Sequence, residues 1–75
     1  MFVEYPEDRI EVRSYFREGG KVVGTEVCDN SVEACTFAKH QLKYYPYVEV
    51  VLVHGSVTHW GGYKTRSQEV LYKFK

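Results

Sequence analysis

The run Tyr47-Val48-Glu49-Val50-Val51-Leu52-Val53 constrains the fold more than any other stretch. It is short and rich in β-branched residues, and it follows Pro46, which favours an extended start. Those properties predict an interior strand of a small sheet, with the rest of the chain arranged around it. At 75 residues the chain makes a single domain, 1–75, with a modest core. Domains this small usually gain stability from disulfides, a metal or oligomerisation.

Met1–Asp8, with Pro6 and three acids, reads as an N-terminal arm over 1–8. Alternation begins at Arg9. Ile10, Val12, Ser14 and Phe16 fall on one side, and Arg9, Glu11, Arg13, Tyr15 and Arg17 on the other, a period of two that predicts a half-buried strand over 9–17. Gly19-Gly20 supplies a two-residue turn, and 21–28 is the return strand. The expected register sets Phe16 against Val23, Ser14 against Thr25 and Val12 against Val27, with Arg13 meeting Glu26 on the other face.

Asp29-Asn30-Ser31 starts a helix predicted over 31–44. Asn30 stands three residues before Glu33, the spacing of a capping box, and Ser31 or Asp29 could cap instead. Val32, Cys35, Ala38 with Ala34, Leu42 and Tyr45 form a stripe at helical spacing, and Pro46 ends the element.

The segments 47–60 and 63–75 are expected to form a long bulged hairpin with Gly61-Gly62 at its tip. Trp60 would then pair with Tyr63, Thr58 with Thr65, and Ser56 with Ser67. One extra residue at His54-Gly55 sets Leu52 against Val70, Val50 against Tyr72, Val48 against Phe74 and Glu49 against Lys73. The alternative is a disordered loop over 55–67. The predicted fold is α+β: a ββαββ chain forming a four-stranded antiparallel sheet of order 2-1-3-4, with one helix packed on one face. Its expected core is Ile10, Val12, Phe16, Val23, Val27, Val32, Cys35, Ala38, Leu42, Val48, Val50, Leu52, Val70, Tyr72 and Phe74.

One helix cannot cover both sides of four strands. The far side would carry Tyr15, Val22, Tyr47, Val51, Val53 and Leu71, which reads as an interface for self-association, a homodimer, or for a protein partner. Isolated valines on a β-prone face are the bland alternative.

The formal net charge is zero, so no global field draws the chain to nucleic acid or anionic membrane. Residues 1–38 hold eight acids against four bases and residues 39–75 six bases against two acids. Interleaved strands would cancel that asymmetry. The N-terminus shows no basic region followed by a long apolar run, and no stretch approaches a membrane span. A cytoplasmic protein with Cys28 and Cys35 as reduced thiols is expected.

Cys28, Cys35, His40, His54 and His59 raise the question of zinc. Their spacing opposes it, because structural sites pair ligands a few residues apart on a turn. Cys28 near the helix start could favour thiolate, but Asp29 and Glu33 oppose that. No paired carboxylates, phosphate loop or nucleotide fingerprint is present. The expectation is a protein that is not an enzyme and has no cofactor.

The tip holds the only Trp beside two glycines. His59, Trp60, Tyr63, Lys64 and Arg66 are the candidate partner-binding residues. Trp, Tyr and Arg dominate binding hot spots. Aromatics beside bases also stack nucleobases, so nucleic-acid or nucleotide binding is the alternative, weakened by the small number of bases. Structurally, a Trp60–Tyr63 pair could simply close the hairpin.

Glu11-Val12-Arg13-Ser14-Tyr15-Phe16-Arg17-Glu18-Gly19-Gly20, the Ala34–Leu42 helix and Val48-Glu49-Val50-Val51 resemble the small orphan ββαββ proteins of phages that infect actinobacteria. The likeness is one of style over half the chain and brings no activity or site residue with it. It implies an accessory or anti-defence role in which the protein binds and modulates a host protein.

Overall fold

A computed structural model describes residues 3–75. Strands β1 (Glu4–Tyr15), β2 (Val22–Cys28), β3 (Tyr47–Thr58) and β4 (Tyr63–Phe74) and helix α1 (Ser31–Gln41) follow in ββαββ order. The sheet is antiparallel, in the order β2-β1-β3-β4. Its spine is the pairing of β1 with β3, unbroken from Glu4↔Thr58 to Tyr15↔Tyr47.

The first strand is longer than its alternation suggests. Glu4–Asp8 is not a loose arm but the beginning of β1, held by β3 alone. β2 pairs only from Ile10 onward, so Pro6 lies where β1 is an edge and its missing N–H costs no ladder bond.

The helix begins as the capping pattern requires: the Asn30 side chain accepts a 2.8 Å hydrogen bond from the Glu33 N–H. It stops at Gln41, short of the predicted end. Ala34 and Ala38 are fully buried, and Cys35, Phe37, Leu42 and Tyr45 pack beside them. Val32, expected in the stripe, is 76% exposed. The small alanines let the helix sit close on Val12, Val48 and Val50.

The β1–β2 register differs from expectation by one residue. Val12 lies opposite Glu26, Arg13 opposite Thr25 and Ser14 opposite Gly24, and a bulge leaves Val23 unpaired before Tyr15↔Val22. The turn spans Arg17–Gly20, with the Gly20 N–H donating to the Arg17 carbonyl at 3.1 Å. Phe16, Val23 and Val27 are consequently exposed instead of buried, and Cys28 is the buried apolar residue of β2.

The β3–β4 register matches expectation near the helix, with Val48↔Phe74, Glu49↔Lys73 and Val50↔Tyr72. It then shifts twice, leaving Leu71 and Arg66 unpaired in β4. The second shift falls at His54/Gly55 as expected, but its extra residue belongs to β4. Leu52 therefore faces Glu69, not Val70, and Val70 and Tyr72 are exposed.

The underside of the sheet, away from the helix, is not open. Tyr15, Tyr47, Val51 and Val53 are all buried within the single chain, which removes the premise of an uncovered face there. Side chains from the flanking strands close over β3. The Arg13 guanidinium on β1 donates to the Glu11 carboxylate and, across β3, to the Gln68 side-chain oxygen on β4, both at 2.9 Å. The Tyr63 ring lies over Gly55, and the Arg9 guanidinium stacks on it at 3.7 Å. The Tyr63 hydroxyl donates to the Glu7 carbonyl at 2.7 Å. Of the residues expected to line that face, only Val22 and Leu71 remain exposed.

Gly55 is where this cover comes closest. A Cβ there would stand 2.5 Å from the Lys64 carbonyl oxygen and 2.6 Å from the Tyr63 ring. Gly55→Ala is expected to destabilise the domain by about 2 kcal/mol through overpacking, read as a lowered urea midpoint with an unchanged slope.

Candidate functional site

Twelve-residue strands extend roughly 40 Å, whereas an eleven-residue helix covers roughly 16 Å. The molecule is accordingly elongated, with a longest dimension of 46 Å. The helix occupies the end near Tyr15 and Tyr47, and the distal half of the sheet projects beyond it. Near the limit of the helix on that side, His54 contacts Asp8 at 3.1 Å and Glu69 at 3.8 Å.

The β3–β4 turn forms the distal end. The Thr58 N–H donates to the Gly62 carbonyl at 2.8 Å, and the Gly61 N–H donates to the Thr58 carbonyl at 2.9 Å. His59 and Trp60 therefore occupy the two central positions of a four-residue turn. Gly61 follows at φ 84°, a left-handed conformation that a side chain would resist. The Gly62 N–H donates to Thr58 Oγ1 at 3.2 Å. The tip is thus centred on His59–Gly61 and not on Gly61-Gly62, and the pairs that follow are Val57↔Tyr63, Ser56↔Lys64 and Gly55↔Thr65.

This geometry divides the predicted site residues. His59 and Trp60 stay together at the tip, their rings 5.5 Å apart and edge to face. Trp60 is 76% exposed. Tyr63 leaves the group: it lies on the underside against Gly55, bonded to Glu7 and stacked by Arg9. Trp60 and Tyr63 are not a cross-strand pair. Lys64 and Arg66 are exposed along β4, Lys64 in register with Ser56 and Arg66 unpaired.

Tyr5 was missed as a site residue because the arm was read as separate from the sheet. It pairs with Val57, one step from the turn, and is 61% exposed. Val3 is also exposed. The distal end therefore gathers Val3, Tyr5 and Trp60 beyond the reach of the helix. Strand pairing of 4–8 with 54–58 was the only signal that could have placed Tyr5 there.

A groove of about 190 Å³ separates α1 from β2. Gly24 and Ser14 leave it open, Phe37 and Tyr45 form its wall, and Glu26 and Gln41 stand at its edge. It is smaller than the roughly 300–1,000 Å³ typical of ligand pockets.

Cys28 and Cys35 are free thiols. Burial, with Glu33, Glu26 and Asp29 nearby, pushes the Cys28 thiol pKa up, away from the reactive thiolate. Among the described residues no group of three or more His, Cys, Asp or Glu side chains is placed to hold a metal. No helix among them is long and apolar enough to cross a membrane. Near the helix-covered end, the Tyr15 and Tyr47 hydroxyls donate to the two oxygens of the Glu49 carboxylate, each at 2.8 Å. Burial first, and then these hydrogen bonds, raise both tyrosine pKa values above the usual 10.0.

Comparison with known protein families, with curated proteins and with solved structures finds no match.

Two outcomes follow. Tyr15 and Tyr47 keep their protons in the fold at a pH where the unfolded chain loses them. Their contribution to stability is therefore complete below about pH 10 and declines as pH rises beyond it. Tyr47→Phe should lower stability at neutral pH by about 1–2 kcal/mol, through loss of a hydrogen bond to a carboxylate. It should also flatten the alkaline decline measured by urea unfolding across pH. Trp60→Ala, in contrast, should change stability by no more than about 0.5 kcal/mol, as for a surface site.

Proposed function

We propose that this protein is a non-enzymatic interaction module whose distal end binds a protein partner. The observation that carries this reading is the exposure of Trp60 and Tyr5 at the end of the sheet that the helix does not reach. Large aromatics left outside the core of a 75-residue domain supply rigid contact area at low entropic cost, the usual character of a binding hot spot. His59 packs against the Trp60 ring and supports its position. Lys64 and Arg66 flank the tip as a polar rim. Tyr63, bonded into the underside, holds the hairpin and makes no part of the contact.

The partner is a cellular protein, and the resemblance to actinobacterial phage proteins suggests a host protein that the module modulates from the cytoplasm. Self-association belongs to the same reading. The burial of Tyr15, Tyr47, Val51 and Val53 argues that it uses another surface. Nucleic acid is the less favoured ligand. Lys64 and Arg66 are too few to give strong phosphate affinity, and Tyr63 is turned away from the Trp60 ring as a stacking partner.

The test is capture from a native actinobacterial lysate by the tagged chain, compared with its Trp60→Ala and Tyr5→Ala variants. A protein retained by the parent and lost at least about tenfold with Trp60→Ala, as for a hot spot, supports the reading. Retention that is indifferent to both substitutions removes it. Salt-sensitive quenching of Trp60 fluorescence by single-stranded oligonucleotides would transfer the tip to nucleic acid instead.

A further inference from the structure

We propose that the end of the molecule opposite Trp60 is a second docking site, which takes an acidic segment of a partner protein. One large apolar side chain of that segment enters a hollow between Phe16 and Val23, and the carboxylates beside it meet Arg17 and Lys21. The site lies at the far end of the sheet from the Trp60 tip and is independent of what the tip binds.

The hollow has a volume of about 240 Å³ and is lined by Phe16, Arg17, Gly20, Lys21 and Val23. The bulge at Val23 shapes it. Bulges re-aim the side chains of their strand, and this one leaves Val23 43% exposed beside Phe16, which is 67% exposed. The Phe16 ring packs on Tyr45, with centroids 5.6 Å apart. Arg17 folds over Gly20, where a Cβ would stand 2.9 Å from Arg17 Cγ and 3.5 Å from its Nε. An apolar floor braced by a second ring, with cations on its rim, is the pocket into which a hot-spot side chain fits. The volume falls below the roughly 300–1,000 Å³ of small-molecule sites, so it suits one protruding side chain and not a whole ligand.

Charge selects the occupant. The turn 16–21, the helix end and its loop, 39–45, and the last residues of β4, 73–75, all lie at the Tyr15–Tyr47 end of the sheet. They carry six exposed bases, Arg17, Lys21, Lys39, Lys43, Lys73 and Lys75, against one acid, Glu18, which pairs with Lys75. The charge asymmetry of the sequence is therefore kept along the long axis of the molecule and not cancelled. Among the described residues Arg17 and Lys21 have no ion-pair partner. An arginine fork takes a carboxylate in two parallel bonds, and the bases around it draw in an acidic chain. A bilayer is flat and offers no projecting side chain, and a nucleic-acid duplex would have to flip out a base to fill the hollow.

Fluorescence anisotropy at low salt tests this on the full chain. The probe is a fluorescein-labelled peptide of one phenylalanine with two glutamates on each side. A Kd of about 0.1 mM or tighter is expected. Replacing the phenylalanine of the probe by alanine, or its glutamates by glutamines, should each weaken binding at least about tenfold. These two probes need no altered protein, so the test stands even if a variant fails to fold. Arg17→Glu and Lys21→Glu should each weaken binding of the first probe about tenfold and leave the urea midpoint in place, since both residues are exposed. Trp60→Ala should leave it unchanged. No binding at about millimolar protein overturns the proposal, as does binding indifferent to both charge reversals. Tighter binding of a single-stranded oligonucleotide, or of vesicles of phosphatidylserine and phosphatidylcholine, also overturns it and gives the basic end to that ligand. None of these results bears on the Trp60 tip, whose test is partner capture with Trp60→Ala.

Discussion

Burying the central strand on both faces is the condition on which the rest of the structure depends. Val48 and Val50 are sealed by the helix, and Val51 and Val53 on the opposite side are as dry. A domain with one helix has no second layer to supply that cover. It is supplied instead by reach. Arg13 and Arg9 extend from β1, and Tyr63 and Gln68 from β4, until they meet across β3. Two tyrosines close the same surface around the Glu49 carboxylate. Long side chains lay their apolar stems over valine while their polar ends find partners, so the cover is both dry and satisfied.

The cover explains features that look unrelated in the chain. Gly55 interrupts a valine-rich strand because the Tyr63 ring occupies the space a side chain would fill. The two register shifts in β4 fall on the strand that must send Gln68 and Tyr63 back toward β1. Bulges increase local twist and re-aim side chains. The alternation of Glu7, Arg9, Glu11 and Arg13 along one face of β1 is then more than a solvated stripe: the Glu7–Arg9 and Glu11–Arg13 ion pairs hold the guanidinium groups in place.

Strand order and the helix start were legible in the residues, as was the register of Val48–Val50 against Tyr72–Phe74, because apolar matching and a Glu49–Lys73 pair agreed there. The first hairpin was not. Apolar and charge matching both favour Val12 against Val27, and the unpaired Val23 that sets Val12 against Glu26 leaves no local mark in the residues. The strand character of Glu4–Asp8 was hidden by Pro6, which is harmless only because β2 ends before reaching it. The closed underside was missed for a different reason. Counting apolar residues against the width of one helix leaves out what an arginine or tyrosine on a neighbouring strand can span. At the distal end Trp60 was legible as a residue of the hairpin tip, either a binding residue or the partner of Tyr63. Its separation from Tyr63 follows from a turn centred on His59 and Trp60, which a Gly-Gly pair does not reveal.

The helix ends its coverage near the middle of the sheet, and that unevenness shapes how the molecule breathes. Regions with few buried contacts open with less free energy than the global transition. The distal ladder, held by backbone bonds and a single file of side chains, is the part that frays first. Its amide protons are expected to exchange with solvent sooner than those beneath the helix. Anything that grips the far end would slow that exchange and draw part of its binding free energy from quieting a fluctuating blade, leaving the packed half undisturbed.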